Sequence, residues 1–166
     1  MNDAFYEQIV PRKTRATDTV IRILTIAILA AILIFTMPLI GFIGIMITVV
    51  LAFGAYYLIF PKLNVEYEYT ILNHDMQIDA IYSKSKRKSL HSFDIQQAEI
   101  IAPKDSPRLH SYHADKTLDF SSGDGSHKIY AVMVPLGQKN TRILIEPDDK
   151  MLSHMKSWMG MKLYTD

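Results

Sequence analysis

The chain has 166 residues and a mass of 19.0 kDa, which is enough for one or two compact domains. Its 18 Lys and Arg residues nearly balance 17 Asp and Glu residues, so it lacks the basic excess of a protein that binds nucleic acid electrostatically. It contains no cysteine, which excludes disulfides, thiolate nucleophiles and cysteine-based zinc sites.

The first segment, residues 1–19, precedes any long apolar stretch. Asn2 is a good N-cap residue, and the residues after it predict a short helix over Asp3–Val10 that ends at Pro11. Its apolar side chains would contact the membrane interface or the following domain. The alternative is a solvated, frayed terminus.

A long apolar block follows, because 39 consecutive residues between Arg22 and Lys62 include no Asp, Glu, Lys, Arg or His. As a single helix the block would be about 58 Å long, twice the roughly 30 Å hydrocarbon core of a bilayer. Two membrane spans therefore fit residues 20–60, and we place them at Val20–Met37 and Phe42–Phe60. The alternative is a helical hairpin buried in a soluble core. The helix-breaking residues at the predicted fold-back are Pro38 and Gly41.

The charged residues that flank the block predict its orientation. Lys62 follows the second span, and the connecting turn is uncharged. The positive-inside rule then predicts a two-span protein of the cell membrane with both termini in the cytoplasm. The block is too long and starts too late for a cleaved signal peptide. No ionisable residue lies inside either span, so we interpret the hairpin as an anchor rather than an ion pathway. The cations before the first span are Arg12, Lys13, Arg15 and Arg22.

Small residues recur at four-residue spacing in both spans. Such residues line one face of a helix and let two backbones approach closely within a bilayer. The alternative is that small residues are frequent in membrane spans and that their spacing has no role in packing. We predict that the two helices pack through Ala27, Ala31, Gly44, Thr48 and Ala52.

Residues 62–166 change from a helical period to a period of two, with frequent turn signals, which predicts seven short strands. The strands are placed at residues 65–71, 76–82, 88–93, 98–102, 117–121, 128–134 and 141–145. An amphipathic helix is predicted to begin at Pro147. Its apolar face, which we expect to cover the sheet, comprises Met151, Leu152, Met155, Trp158 and Met159.

Seven strands and then one amphipathic helix is the element order of the pleckstrin-homology-like (PH-like) fold. Residues 66–101 resemble bacterial PH-like domains found beside membrane spans. The chain from Asn2 to Trp158 is similar to a family of small two-span bacterial membrane proteins of unknown function. This resemblance implies an α+β protein with a transmembrane hairpin and a PH-like domain, and it implies no established activity. The runs that carry it are Tyr69-Thr70-Ile71, Met76-Gln77-Ile78-Asp79-Ala80-Ile81, Lys86-Arg87-Lys88 and Phe93-Asp94-Ile95-Gln96-Gln97-Ala98-Glu99-Ile100.

The densest charge cluster is a run of four cations in five residues, at the predicted turn between the second and third strands. Near an anionic leaflet each cation would contribute about 1 kcal/mol to binding. The cluster suits anionic lipid headgroups or an acidic membrane-associated protein. A solvated hairpin tip that discourages edge pairing is the alternative. The four residues are Lys84, Lys86, Arg87 and Lys88.

Two histidines and a carboxylate, His110, His113 and Asp115, lie within six residues and have the chemistry of zinc or iron ligands. The segment follows Pro107 and lacks apolar periodicity, which is typical of a loop. No further ligand is evident in the sequence. We interpret these residues as solvated loop residues, and we expect neither a metal site nor a cofactor.

The leading hypothesis is a non-enzymatic bacterial membrane protein. Its hairpin would hold a cytoplasmic PH-like interaction module at the inner leaflet, where the module binds a protein partner or lipid headgroups. One alternative is a membrane-bound, metal-dependent hydrolase that uses His110, His113 and Asp115. Another is an accessory subunit of a larger membrane complex, with the hairpin as its interface.

Overall fold

The computed structural model describes residues 5–166. Two long apolar helices, α1 (Ala16–Ile40) and α2 (Phe42–Leu58), pack against each other and are separated only by Gly41. Gly41 has a φ of +57°, a conformation that glycine adopts without strain, so it makes the reversal alone. Pro38 was predicted to share that role but lies within α1, near its end.

Both helices are long and apolar enough to span a membrane. None of the most apolar 18 residues of α1 is buried inside the protein, and only 11% of the corresponding residues of the second span are. A core helix of a soluble protein would be mostly buried. This exposure argues against the soluble-hairpin alternative, because such a large apolar surface requires a cover.

The first strand, β1 (Phe5–Pro11), corrects the sequence prediction of a short helix over Asp3–Val10. It pairs antiparallel with β2 (Val65–Leu72), with Tyr6 opposite Ile71 and Val10 opposite Tyr67. Aromatic and β-branched side chains favour a strand wherever a neighbouring edge is free, and β2 supplies that edge. Asn2 and the first two residues of the predicted helix lie outside the described residues.

The first sheet continues with β3 (Asp75–Tyr82) and β4 (Lys86–Asp94), in the order β1-β2-β3-β4. All of its pairings are antiparallel. The second sheet comprises β5 (Ile100–Pro103), β6 (Lys116–Asp119), β7 (Tyr130–Leu136) and β8 (Lys139–Ile145). Its order is β5-β7-β8-β6, and β6 runs parallel to β8. The described residues therefore form eight strands rather than the predicted seven, since β1 was missed.

The C-terminal helix, α3 (Asp149–Met159), completes the core. Asp148 is its N-cap and accepts the backbone N–H of Met151 at 2.8 Å, so the helix starts later than the predicted Pro147. Met151, Met155 and Met159 are buried with side chains of both sheets, as predicted from their spacing. Trp158 was assigned to the same face but is partly exposed and contacts the ring of His74 edge-on.

The helical hairpin is an insertion between two neighbouring strands of one sheet. Pro11, at the end of β1, lies opposite Glu66 in β2, and the backbone N–H of Arg12 donates to the carbonyl of Val65 at 3.0 Å. The chain therefore leaves the sheet at the end of β1 and returns to it at the start of β2, at the same end of the two strands. This topology brings the residues before α1 and after α2 together at the base of the hairpin.

Candidate functional site: a basic cavity at the base of the hairpin

A cavity of about 440 Å³ lies where the hairpin joins the first sheet. Its walls are the end of α2, the turn that follows, and strands β2 to β4. We call it the junction cavity. Tyr57 and Leu58 line it from α2, and Tyr67 and Tyr82 line it from the sheet. It lies at the end of an apolar helix that is long enough to span a membrane.

Four cations line the junction cavity, and the described residues that line it include no carboxylate. Arg12 is largely buried and donates to Asp18 at 2.8 Å, so its charge is paired. Lys62, Lys86 and Lys88 are exposed and have no ion-pair partner among residues 5–166. Three uncompensated ammonium groups around one opening create a local positive potential in a chain whose net charge is only +1.

Asp18 fixes the entry of the chain into α1. Besides the guanidinium of Arg12, its carboxylate accepts the backbone N–H of Arg15 at 2.9 Å. A carboxylate in the first turn also interacts favourably with the helix dipole. The contact holds one wall of the junction cavity against the start of the hairpin.

The strand period divides the predicted cation run between two faces of the sheet. Lys86 and Lys88 lie on the face of the junction cavity, opposite Tyr82 and Ala80 of β3. Arg87 lies on the other face. Lys84 is exposed in the turn that precedes β4, with a φ of +57°. The turn covers residues 83–85, so the run is not one continuous turn as predicted.

Arg87 has a structural partner instead of a free charge. Its guanidinium donates to Oε1 of Glu68 at 2.5 Å, and the Glu68 side chain is only 1% exposed. Burial, and then the nearby carboxyl of Glu7, raise the pKa of Glu68 above its usual value, while Arg87 opposes that rise. Arg87 therefore pairs with the buried carboxylate of Glu68 on the face of the sheet opposite to Lys86 and Lys88.

The aromatic residues that end the second span border a second cavity, of about 340 Å³, beside the first. Tyr56, Tyr57 and Phe60 line it together with Ser83 and Lys86. Tyr56 and Tyr57 are both exposed, and their rings meet edge-on with centroids 5.2 Å apart. Aromatic rings at this level are typical of a membrane–water interface. The turn that precedes β4 thus lies next to the end of α2.

The predicted helix-packing residues occupy different environments. Gly44 is buried, and a Cβ at this position would lie 2.7 Å from Oγ1 of Thr36 in α1, so it marks a close helix–helix contact. Ala31, Thr48 and Ala52 are half-buried. Ala27 is exposed, so it does not share the close contact that Gly44 makes.

The structure does not bring His110, His113 and Asp115 together as a metal site. His110 belongs to a short 3-10 turn, Pro107–Ser111, and His113 is exposed beyond it. The carboxylate of Asp115 accepts the backbone N–H of Asn140 at 3.0 Å. Within the described chain, none of the three belongs to a group whose metal-ligating atoms lie within 4.8 Å of one another.

Sequence reasoning missed two cations of the junction cavity, Arg12 and Lys62. Both were recognised as flanking charges of the spans, but 50 positions separate them in the chain. The signal that could have united them with Lys86 and Lys88 is the pairing of β1 with β2. The helix prediction for the first segment concealed that pairing.

Comparison with known proteins gives a match over almost the whole chain. Residues 2–165 match the family described as Bacterial PH-like domain (DUF6106). Neither the curated proteins nor the solved structures contain a significant match. The match covers both the hairpin and the two-sheet domain, in agreement with the resemblance seen in the sequence. The chain therefore belongs to the family of bacterial PH-like domains, DUF6106.

Proposed function

We propose that this protein is a two-span membrane protein that holds a PH-like domain at the cytoplasmic face of the cell membrane. Support comes from the two exposed apolar helices, which need a lipid cover, and from the cations at one end of the hairpin. In this proposal both termini lie on the domain's side of the bilayer, because the hairpin leaves the sheet at the end of β1 and re-enters it at the start of β2. The positive-inside rule assigns that side to the cytoplasm.

The domain acts in this proposal as a non-enzymatic interaction module that binds anionic lipid headgroups. PH-like domains are generally non-enzymatic. The observation that carries the lipid assignment is the junction cavity, where Lys62, Lys86 and Lys88 meet at the end of α2 without acidic partners in the part of the chain that the structure describes. Each cation near an anionic leaflet contributes about 1 kcal/mol, so three together favour an anionic headgroup over a zwitterionic one.

The test compares lipids retained by the full chain after gentle extraction. Wild-type protein in nanodiscs that contain equal amounts of phosphatidylglycerol and phosphatidylcholine should retain the anionic lipid preferentially, measured by native mass spectrometry. The double variant Lys86→Gln, Lys88→Gln should lose most of this preference, because it removes two of the unpaired charges.

The matched control is the double variant Lys150→Gln, Lys156→Gln. It makes the same change in net charge on the exposed face of α3, away from the junction cavity, and should keep the wild-type preference. Equal lipid retention by all three proteins contradicts the lipid assignment. Capture of an acidic protein that depends on Lys86 and Lys88, without any lipid preference, would assign the cavity to a protein partner.

A further inference from the structure

A second cluster of polar side chains lies away from the junction cavity, where the β6–β7 loop meets the end of β8. Asp124 and His127 come from the loop at residues 121–128, and Glu146 directly follows β8. Each of the three offers one potential metal-ligating atom, and these atoms all lie within 4.8 Å of one another. Together with Asp148 they line a cavity of about 360 Å³.

Glu146 has an unsatisfied oxygen that points to a ligand. Its side chain is only 2% exposed, and its Oε2 accepts the backbone N–H of Ser122 at 2.7 Å. Its Oε1 has no hydrogen-bond partner among residues 5–166 and lies 3.5 Å from Nδ1 of His127. A buried carboxylate oxygen without a partner is unfavourable, so this position favours a cation.

Asp124 is already arranged as an anionic ligand by its own loop. Its Oδ1 accepts the Ser122 hydroxyl at 2.9 Å and the Ser126 backbone N–H at 2.7 Å. These hydrogen bonds, together with one from the Ser126 hydroxyl at 2.6 Å, hold the Asp124 carboxylate in a fixed orientation within the loop. The Ser126 hydroxyl also lies 2.7 Å from Nδ1 of His127 and orients the ring.

We propose that Asp124, His127 and Glu146 bind a divalent transition-metal cation of the zinc class. One imidazole nitrogen and two carboxylate oxygens form a ligand set that suits Zn²⁺ better than Mg²⁺ or Ca²⁺, which prefer oxygen ligands alone. Three protein ligands leave a further position for water. The cation neutralises the buried Glu146 and ties the β6–β7 loop to the end of β8.

The site also lies close to the chain that enters the hairpin. The backbone N–H of Lys13 donates to the carbonyl of Ser122 at 2.8 Å, and the Gln8 side chain donates to the carbonyl of Glu146 at 2.9 Å. A bound cation would therefore stiffen the support of β1 and of the segment that leads into α1. This role is separate from lipid binding at the junction cavity.

The experiment titrates ZnCl₂ into the untagged, chelator-treated full chain in detergent. The readouts are the heat of binding, measured by calorimetry, and the temperature of thermal unfolding. Wild type should bind one Zn²⁺ per chain and unfold at a higher temperature when it is bound. His127→Ala and Asp124→Asn should weaken the affinity by more than about tenfold, since loss of even an outer-sphere partner costs 10–100-fold. Glu146→Gln should also weaken the zinc affinity. If this buried variant folds poorly, the variants at the exposed positions Asp124 and His127 still test the site.

The control is His113→Ala, which removes an exposed histidine outside the cluster and should leave zinc binding unchanged. Absence of stoichiometric zinc binding by wild type overturns the proposal. The same holds if His127→Ala binds zinc with wild-type affinity. If His127→Ala destabilises the metal-free chain while zinc has no effect on wild type, the cluster is an internal His127–Glu146 ion pair instead.

Discussion

Arg87 stabilises the buried carboxylate of Glu68 across two strands, although its own side chain is 59% exposed. Arg87→Gln keeps a polar side chain but leaves Glu68 without its charged donor. An unsatisfied buried acceptor costs about 1–3 kcal/mol, so the variant should unfold at a lower temperature than wild type. Thermal unfolding of the full chain in detergent measures the difference.

Lys88→Gln is the control, because Lys88 has no ion-pair partner among the described residues and the variant should unfold close to wild type. Equal midpoints for Arg87→Gln and Lys88→Gln would show that the contact contributes no stability.

Glu68 also gives the fold a pH dependence of a defined sign. Its pKa is raised in the folded protein from an ordinary value of 4.5, chiefly by burial and then by Glu7, while Arg87 acts in the opposite direction. The folded state therefore holds the proton more tightly than the unfolded chain. This contribution to stability is complete below pH 4.5 and is lost as the pH rises through the folded pKa.

Glu68→Gln removes this titration, so the stability of wild type relative to the variant should fall as the pH rises above 4.5. Unfolding midpoints of both proteins between pH 4 and pH 8 measure the trend. Glu99→Gln, at an exposed position, provides the reference for a neutral amide in place of a carboxylate. Parallel pH profiles for wild type and Glu68→Gln would contradict the raised pKa.

At the scale of secondary-structure elements, Gly44 sets how closely α1 and α2 approach. A Cβ at this position would lie 2.7 Å from Oγ1 of Thr36 and 2.9 Å from its backbone carbon, so one of the helices must shift. Gly44→Ala should therefore destabilise the hairpin by about 1–3 kcal/mol, the usual cost of overpacking. The midpoint of thermal unfolding in detergent is again the measurement.

Gly54 provides a control in the same helix, because a Cβ there would meet no described atom within 4 Å outside its chain neighbours and the adjacent backbone of its own helix. Gly54→Ala should leave the midpoint unchanged or raise it, since alanine favours the helix over glycine. A drop of equal size in both variants would show that the loss arises from the substitution itself. It would not then reflect the contact with Thr36.

Strands β2 to β8 and α3 were predictable from the sequence, whereas β1 was not. The period of two, the turn residues and the methionine spacing were sufficient for β2 to β8 and for α3, because these patterns reflect one buried face. They were insufficient for β1, whose seven residues fit either a short helix or a strand. Only the free edge of β2, formed more than fifty residues later, decides between them.

The two sites differ in how far the sequence could predict them. Lys86 and Lys88 were evident from a local run of cations, but the division of that run between two sheet faces required the strand register. Arg12 and Lys62 lie beside them only because the hairpin leaves the sheet at the end of β1 and re-enters it at the start of β2. Glu146 gave no local signal, because its importance comes from burial beside a loop about twenty residues earlier in the chain.

At the scale of the whole molecule, the insertion of the hairpin between β1 and β2 would determine how the domain is held if the hairpin spans a membrane as proposed. The segments before α1 and after α2 lead directly from β1 and into β2, so the domain is attached to the hairpin at two points rather than by one flexible linker. Two attachments restrict rotation of the domain. The junction cavity and the tyrosines at the end of α2 would then stay at the same depth relative to the headgroups.

This arrangement predicts the accessibility of single cysteines, which the cysteine-free chain permits without background. In intact spheroplasts a membrane-impermeant maleimide should not label Lys139→Cys, an exposed domain position, until the membrane is permeabilised. Phe42→Cys, at the fold-back between α1 and α2, should be labelled before permeabilisation, because the proposed topology puts the fold-back at the opposite membrane surface. Labelling of Lys139→Cys in intact spheroplasts would place the domain outside the cell. In that case the positively charged residues that flank the hairpin would not set its orientation. Protection of both positions before permeabilisation would contradict two complete spans.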